Sequence, residues 1–127
     1  MRRSKKINTQ RSLFLAVLPA ALSLAAAACG GGGNASPEPL AVTIHAKGAT
    51  FDVTTINAKV NQTVNVTYMN SGVLDHTFVI DGLVPEQNLA EGQTTTFSFR
   101  PTAAGTYEYY CVRHKNAGMV GTLTVSR

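Results

Sequence analysis

An all-β sandwich is the fold class this sequence predicts, and three observations carry the expectation. Apolar and polar residues alternate with a period of two through several short stretches. Turn-forming pairs separate those stretches, and helical spacing is hard to find anywhere beyond the amino-terminal region.

The elements follow in order. "LAVTIHA", beginning at Leu40, opens the domain, and "TVNVTYMN" places Val64, Val66 and Tyr68 on one face with Thr63, Asn65 and Thr67 on the other. In "DHTFVID", His76 opens a strand and shares its face with Phe78 and Ile80, so the imidazole points inward at the strand's end. "PEQNLAEG" is the one stretch that suits a helical turn. "TTTFSFRP" alternates through Phe97 and Phe99, and "GTYEYYC" through Tyr107, Tyr109 and Cys111, with Tyr110 on the opposite face. Turns are expected at Asn70-Ser71-Gly72, Asp81-Gly82, Glu91-Gly92 and Ala104-Gly105. About six to eight such strands between Leu40 and Arg127 predict an antiparallel β-sandwich whose two inner faces share one core.

Residues 1–28 have the form of an export signal: a cationic "MRRSKKINTQR" precedes the uncharged stretch from Ser12 to Ala28. Ala26, Ala27 and Ala28 directly before Cys29 resemble the lipobox of bacterial lipoproteins, although Ala26 stands where the strongest lipoboxes carry leucine. The resemblance implies a lipidated Cys29 and a domain held on the outer face of the membrane, periplasmic or extracellular. Cleavage among the alanines and an uncut anchor helix stay open as alternatives. Pro19 and a length at the short end of the roughly 17–25 residues needed to span count against the helix. "GGGGNASPEP" then reads as a flexible tether, so residues 29–39 link the anchor to a domain at 40–127.

The charge confirms that division. The chain carries 11 basic and 7 acidic residues, but five of the basic ones lie in the leader, and from Gly30 onward six basic face seven acidic residues. No nucleic-acid surface is expected from such a balance.

The chain has two cysteines, and with Cys29 assigned to the leader, Cys111 has no disulfide partner in the domain. A lone buried thiol is a common core residue. Cys111, however, begins the pattern C-x2-H-x4-M with His114 and Met119, in a loop that turns back after a strand toward the inward His76. Two imidazoles, a thiolate and a thioether are the ligands of a mononuclear blue-copper centre. His45 and Met69 have no such company and receive no metal role.

"GTYEYYCVRHKNAGMVGTLTV" resembles the carboxy-terminal copper loop of plastocyanins, and "DHTFVID" resembles the first-histidine strand of the cupredoxin family. The similarity spans essentially Leu40 to Arg127. It implies a Greek-key cupredoxin sandwich binding one type 1 copper, with His76, Cys111 and His114 equatorial and Met119 axial. It also implies an electron exit at His114 and a docking or tunnelling role for Tyr110. The sequence departs from the family pattern at Asp75 and Arg113, which stand where prolines are common.

Three classes of function compete. An electron shuttle between redox proteins, monomeric and tethered to the membrane by its lipid, is the expected one. A copper enzyme needs further histidines, and the chain has 3 in total. A copper storage or delivery protein is the alternative, although such proteins favour exchangeable, solvent-accessible clusters over a constrained thiolate loop.

Overall fold

The computed structural model describes residues 35–127, in which nine strands form two facing sheets. In chain order they are β1 (Leu40–Lys47), β2 (Thr50–Phe51), β3 (Thr55–Lys59), β4 (Val64–Asn70), β5 (His76–Ile80), β6 (Val84–Leu89), β7 (Thr94–Phe99), β8 (Gly105–Tyr110) and β9 (Val120–Ser126). A single 3-10 turn, Lys115–Ala117, interrupts the loop before β9. The signal peptide expected at 1–28, Cys29 and the start of the expected tether lie outside the described residues.

One sheet runs β2-β1-β4-β7 and the other β3-β9-β8-β5-β6, which is the sandwich expected from the alternation. Two of its pairings, β1 with β4 and β3 with β9, are parallel rather than antiparallel. A parallel neighbour needs a crossover instead of a hairpin, and the chain supplies one by passing through β3 in the second sheet between β1 and β4. No local pattern in either strand encodes that arrangement.

The period-two faces are where the alternation puts them. Val64, Val66 and Tyr68 are buried while Asn65 is exposed, and the core closes on Phe78, Ile80, Tyr109, Leu123 and Val125 from the other sheet. Each such side chain stabilises the fold by about 1.5–3 kcal/mol through burial. Strand β5 departs from alternation because all five of its residues are buried. It lies between β8 and β6, and its second face is covered as well.

Val84–Leu89 is strand β6, not the helical turn expected of "PEQNLAEG". Pairing with β5, in a register that shifts between Phe78 and Ile80, satisfies its backbone and outweighs the local preference. As an edge strand it turns the polar side chains Glu86 and Asn88 to solvent.

At the centre, Phe78 stacks on Tyr109 with ring centroids 5.2 Å apart, and Phe51 and Tyr68 complete the aromatic cluster. The Tyr109 hydroxyl donates to the Val53 carbonyl at 2.6 Å. Burial, with the Asp52 carboxylate adding to it, pushes this phenol up to about 12. Gly121 on β9 is the register partner of Tyr109, and the ring lies directly over its Cα.

The residues leading into β1 are held at one end of the sandwich. The Ser36 hydroxyl donates to the Asn61 carbonyl (3.1 Å), Gln62 Nε2 donates to the Glu38 carbonyl (2.7 Å), and the Leu40 amide donates to Thr63 (2.8 Å). His76, Cys111 and Met119 sit at the opposite end, where β1 and β4 finish.

Candidate metal centre

β5 begins with His76, β8 ends one residue before Cys111, and β9 begins one residue after Met119. Three strand ends thus meet at one pole. The Cys111 amide donates to the Met119 carbonyl and the Met119 amide to the His114 carbonyl, both at 3.1 Å. These bonds, with the left-handed Gly118 (φ 89°) closing the 3-10 turn, fold the nine-residue segment back on itself.

Among the described residues, His76, Cys111 and His114 bring their potential ligand atoms within 4.8 Å of one another. Cys111 Sγ lies 3.4 Å from His114 Nδ1 and 4.0 Å from His76 Nδ1. A metal bonded at about 2.0–2.3 Å to each nitrogen and sulfur fits between donors so spaced. Both imidazoles turn Nδ1 to the sulfur, and their ring centroids are 4.9 Å apart. Met119 is fully buried beside them in the chain, and His114 is the one member of the set that reaches the surface. His45 lies elsewhere, its Nδ1 3.1 Å from Ser71 Oγ.

The sulfur is enclosed by Thr77, which the sequence did not single out. The Thr77 amide lies 3.3 Å and its hydroxyl 3.7 Å from Cys111 Sγ as donors, and the Val112 amide donates to Thr77 Oγ1 at 2.8 Å. The Tyr68 hydroxyl, whose ionisation burial opposes, donates to the Thr77 carbonyl at 3.2 Å. Donors aimed at the thiolate reduce its charge donation and are one of the recognised controls on copper potential.

Asp75 and Arg113, the two replacements for proline, form an ion pair at 3.5 Å. It joins the residue before His76 to the residue before His114. Both side chains are about half exposed, so the pair contributes at most about 1 kcal/mol. Tyr110 donates its hydroxyl to Asp81 Oδ1 at 2.8 Å, while the Lys115 ammonium lies 3.7 Å from the ring centroid and pairs with Glu108. The Asp81 bond raises the Tyr110 phenol, with Lys115 opposing, and the Glu108 bond raises the Lys115 ammonium.

Burial lowers the His76 imidazole below its ordinary 6.5, with His114 adding to the shift and Asp75 opposing it. The folded metal-free chain therefore binds fewer protons at this site than the unfolded chain does. Its stability is complete above about 6.5 and falls as the pH drops from there toward the lower folded value. A urea midpoint for the metal-free protein that declines across that window, and a flatter profile in His76→Gln, is the expected result. Equal profiles for the two proteins would contradict it.

A family model for the cupredoxin-like domain matches residues 13–125. The chloroplastic plastocyanin of Hordeum vulgare is 29% identical over 132 residues, covering 98% of this chain and 85% of the relative. Among solved structures, dithionite-reduced auracyanin from Roseiflexus castenholzii superposes with a TM-score of 0.65 at 20% identity, covering 71% of this chain and 99% of the other. Auracyanin A of Chloroflexus aurantiacus, described as a "blue" copper protein, gives 0.59 at 25% identity, covering 69% and 99%. The His76, Cys111 and His114 group fits one type 1 copper. The chain belongs to the cupredoxin family and is plastocyanin-like within it.

Proposed function

We propose that this protein is a one-electron carrier, not an enzyme, in which His76, Cys111 and His114 hold one copper and Met119 is its axial ligand. The convergence of the three ligand atoms within 4.8 Å at one pole carries the reading. When bound, copper supplies the Cu(II)/Cu(I) couple.

The protein's part is to hold the donors still. His76, Cys111 and Met119 are all fully buried, and the loop that carries three of the four is closed on its own backbone. A site so constrained loses little energy to rearrangement when the charge changes. His114 provides the path to the surface, and the exposed apolar side chains Val73, Leu74 and Val112 each stand within three positions of His76 or His114 in the chain. Exposed apolar side chains near the ligands in sequence suit brief docking of a redox protein, and Tyr110, adjacent to Cys111, offers a second contact. Storage or delivery requires exchange with solvent, which a buried thiol enclosed by Thr77 opposes.

Addition of Cu(II) to the protein tests this reading: an intense blue band with narrow copper hyperfine splitting is expected, and an ordinary square-planar spectrum would overturn it. Met119→Leu keeps the colour and raises the potential, because loss of axial donation disfavours Cu(II). An unchanged potential in electrochemical titration would remove Met119 from the ligand set.

Export and lipid attachment at Cys29 belong to the same proposal and rest on the leader's composition. Among the described residues no helix is long and apolar enough to cross a membrane. Labelled fatty acid is expected to enter the parent protein and not Cys29→Ser; a parent that takes up no label would argue for cleavage among the alanines or an uncut leader instead.

A further inference from the structure

Asn70 closes β4 and is 3% exposed, yet its carboxamide makes three hydrogen bonds, all to backbone. Nδ2 donates to the carbonyls of Leu74 (2.7 Å) and Leu89 (3.1 Å), and Oδ1 accepts the Gly72 amide (2.9 Å). The Asn70 backbone adds bonds to Gln93 (2.9 Å) and from Gly92 (3.1 Å). One side chain thus ties the end of the first sheet to the loop before β5 and to the end of β6 in the second sheet.

Both attachments bear on His76. Leu89 is its register partner across β5 and β6, and Leu74 stands two residues before it. Gly72, held by the same carboxamide, lies against the imidazole. A Cβ at Gly72 would come within 3.3 Å of His76 Nε2, 3.2 Å of the Gly48 nitrogen and 3.6 Å of Asn70 Oδ1. Its φ is not in the left-handed region, so space and not backbone conformation calls for glycine here. His76 Nε2 is buried without a hydrogen-bond partner in the protein. Ligating histidines are ordinarily oriented by a bond at the second nitrogen; this ring is oriented by what packs around it.

We propose that Asn70 and Gly72 are the positioning residues of His76. Asn70 sets the course of residues 71–75 through its three bonds, and Gly72 leaves the space into which the ring fits. The inference rests on His76 being a ligand, and it extends to the metal-free protein, in which the same contacts hold the ring before metal arrives.

The test compares the parent with Asn70→Ala, Gly72→Ala and Val125→Ala, the last a buried residue of β9 paired with Gly105 at the far end of the sheet. Asn70→Ala and Gly72→Ala are each expected to weaken Cu(II) binding about 10–100-fold in chelator competition, as loss of outer-shell support does elsewhere. They should also change the copper hyperfine splitting. Val125→Ala should lower the melting temperature and leave affinity and splitting at the parent's values. In the metal-free protein, the nuclear Overhauser contact between the His76 ring and Gly72 Hα should be present in the parent and lost in Asn70→Ala.

Parent spectra, affinities and ring contacts in both variants would overturn the proposal. If Asn70→Ala does not fold, Gly72→Ala decides, since its backbone accepts alanine and the added Cβ asks only for small shifts of the ring and of the Gly48 backbone beside it. A parent protein without the blue band would sink the copper reading alone, because the ring contact in the metal-free protein is read independently of copper.

Discussion

Cys111→Ser removes the blue absorption altogether while leaving the sandwich folded. Serine keeps the size of the side chain but replaces a thiolate donor with a hydroxyl that stays protonated near neutral pH, so the strong sulfur-to-copper charge transfer has no source. The buried hydroxyl still meets the Thr77 amide as a hydrogen-bond partner. The stability change is therefore limited to about 1–3 kcal/mol, the range for an imperfectly matched buried polar group. Absorption and EPR on the copper-loaded protein, with a thermal melt on the metal-free protein, separate the two effects. Retention of an intense blue band would show that Cys111 is core filler and that some other group binds the metal.

Gly121→Ala is expected to destabilise the fold more than any other single methyl added to the core. A Cβ at this position would sit inside the Tyr109 ring, overlapping its Cζ, its Cε2 and the hydroxyl oxygen. The ring has nowhere to retreat: Phe78 stacks on it, Phe51 lies 5.5 Å away, and its hydroxyl is tied to Val53. Either β9 shifts out of register or the ring leaves the core. Overpacking costs about 1–3 kcal/mol when a core yields locally, and loss of a buried aromatic side chain about 3–5 kcal/mol. For a domain this size each kcal/mol lowers the melting temperature by roughly 4–8 °C, so a drop of more than about 10 °C is expected. If the ring is expelled, its phenol, held at about 12 in the parent, returns toward the ordinary 10.0 in an ultraviolet titration. Partial recovery in Gly121→Ala combined with Tyr109→Leu would identify the clash. An unchanged melting temperature in the single variant would refute it.

The faces of β4 and β8 were legible in the sequence because alternation is a local signal, and Val64, Val66, Tyr68 and Tyr109 all point as it requires. The His76, Cys111 and His114 group was legible for a related reason: Cys111 and His114 stand three positions apart, and His76 announces itself as an inward residue at a strand's end. What could not be read depends on partners distant in the chain. Strand β6 exists because β5 pairs with it, and the parallel pairings follow from a crossover between sheets. Asn70 looked like an ordinary turn residue, although it serves both sheets. Asp75 and Arg113 were each visible as departures from the family pattern, but only their 3.5 Å separation shows that they form a pair. Thr77 had no distinguishing neighbour in sequence, since Cys111 lies 34 positions away.

The parallel pairing of β3 with β9 has a kinetic consequence. It joins Thr55 to Thr122 and Lys59 to Ser126, so the second sheet cannot be completed until nearly the whole domain is available. Sandwiches dominated by such distant pairings fold in roughly milliseconds to seconds, far slower than the microseconds of a local hairpin. The β8 and β9 hairpin, with Cys111 and Met119 at its mouth, is local and free to form early. His76 and Thr77 reach the sulfur only when the second sheet assembles. For that interval the thiol is bare, and under oxidising conditions its protection waits on β5 meeting β8, some thirty positions apart in the chain, and not on the still more distant pairing of β3 with β9.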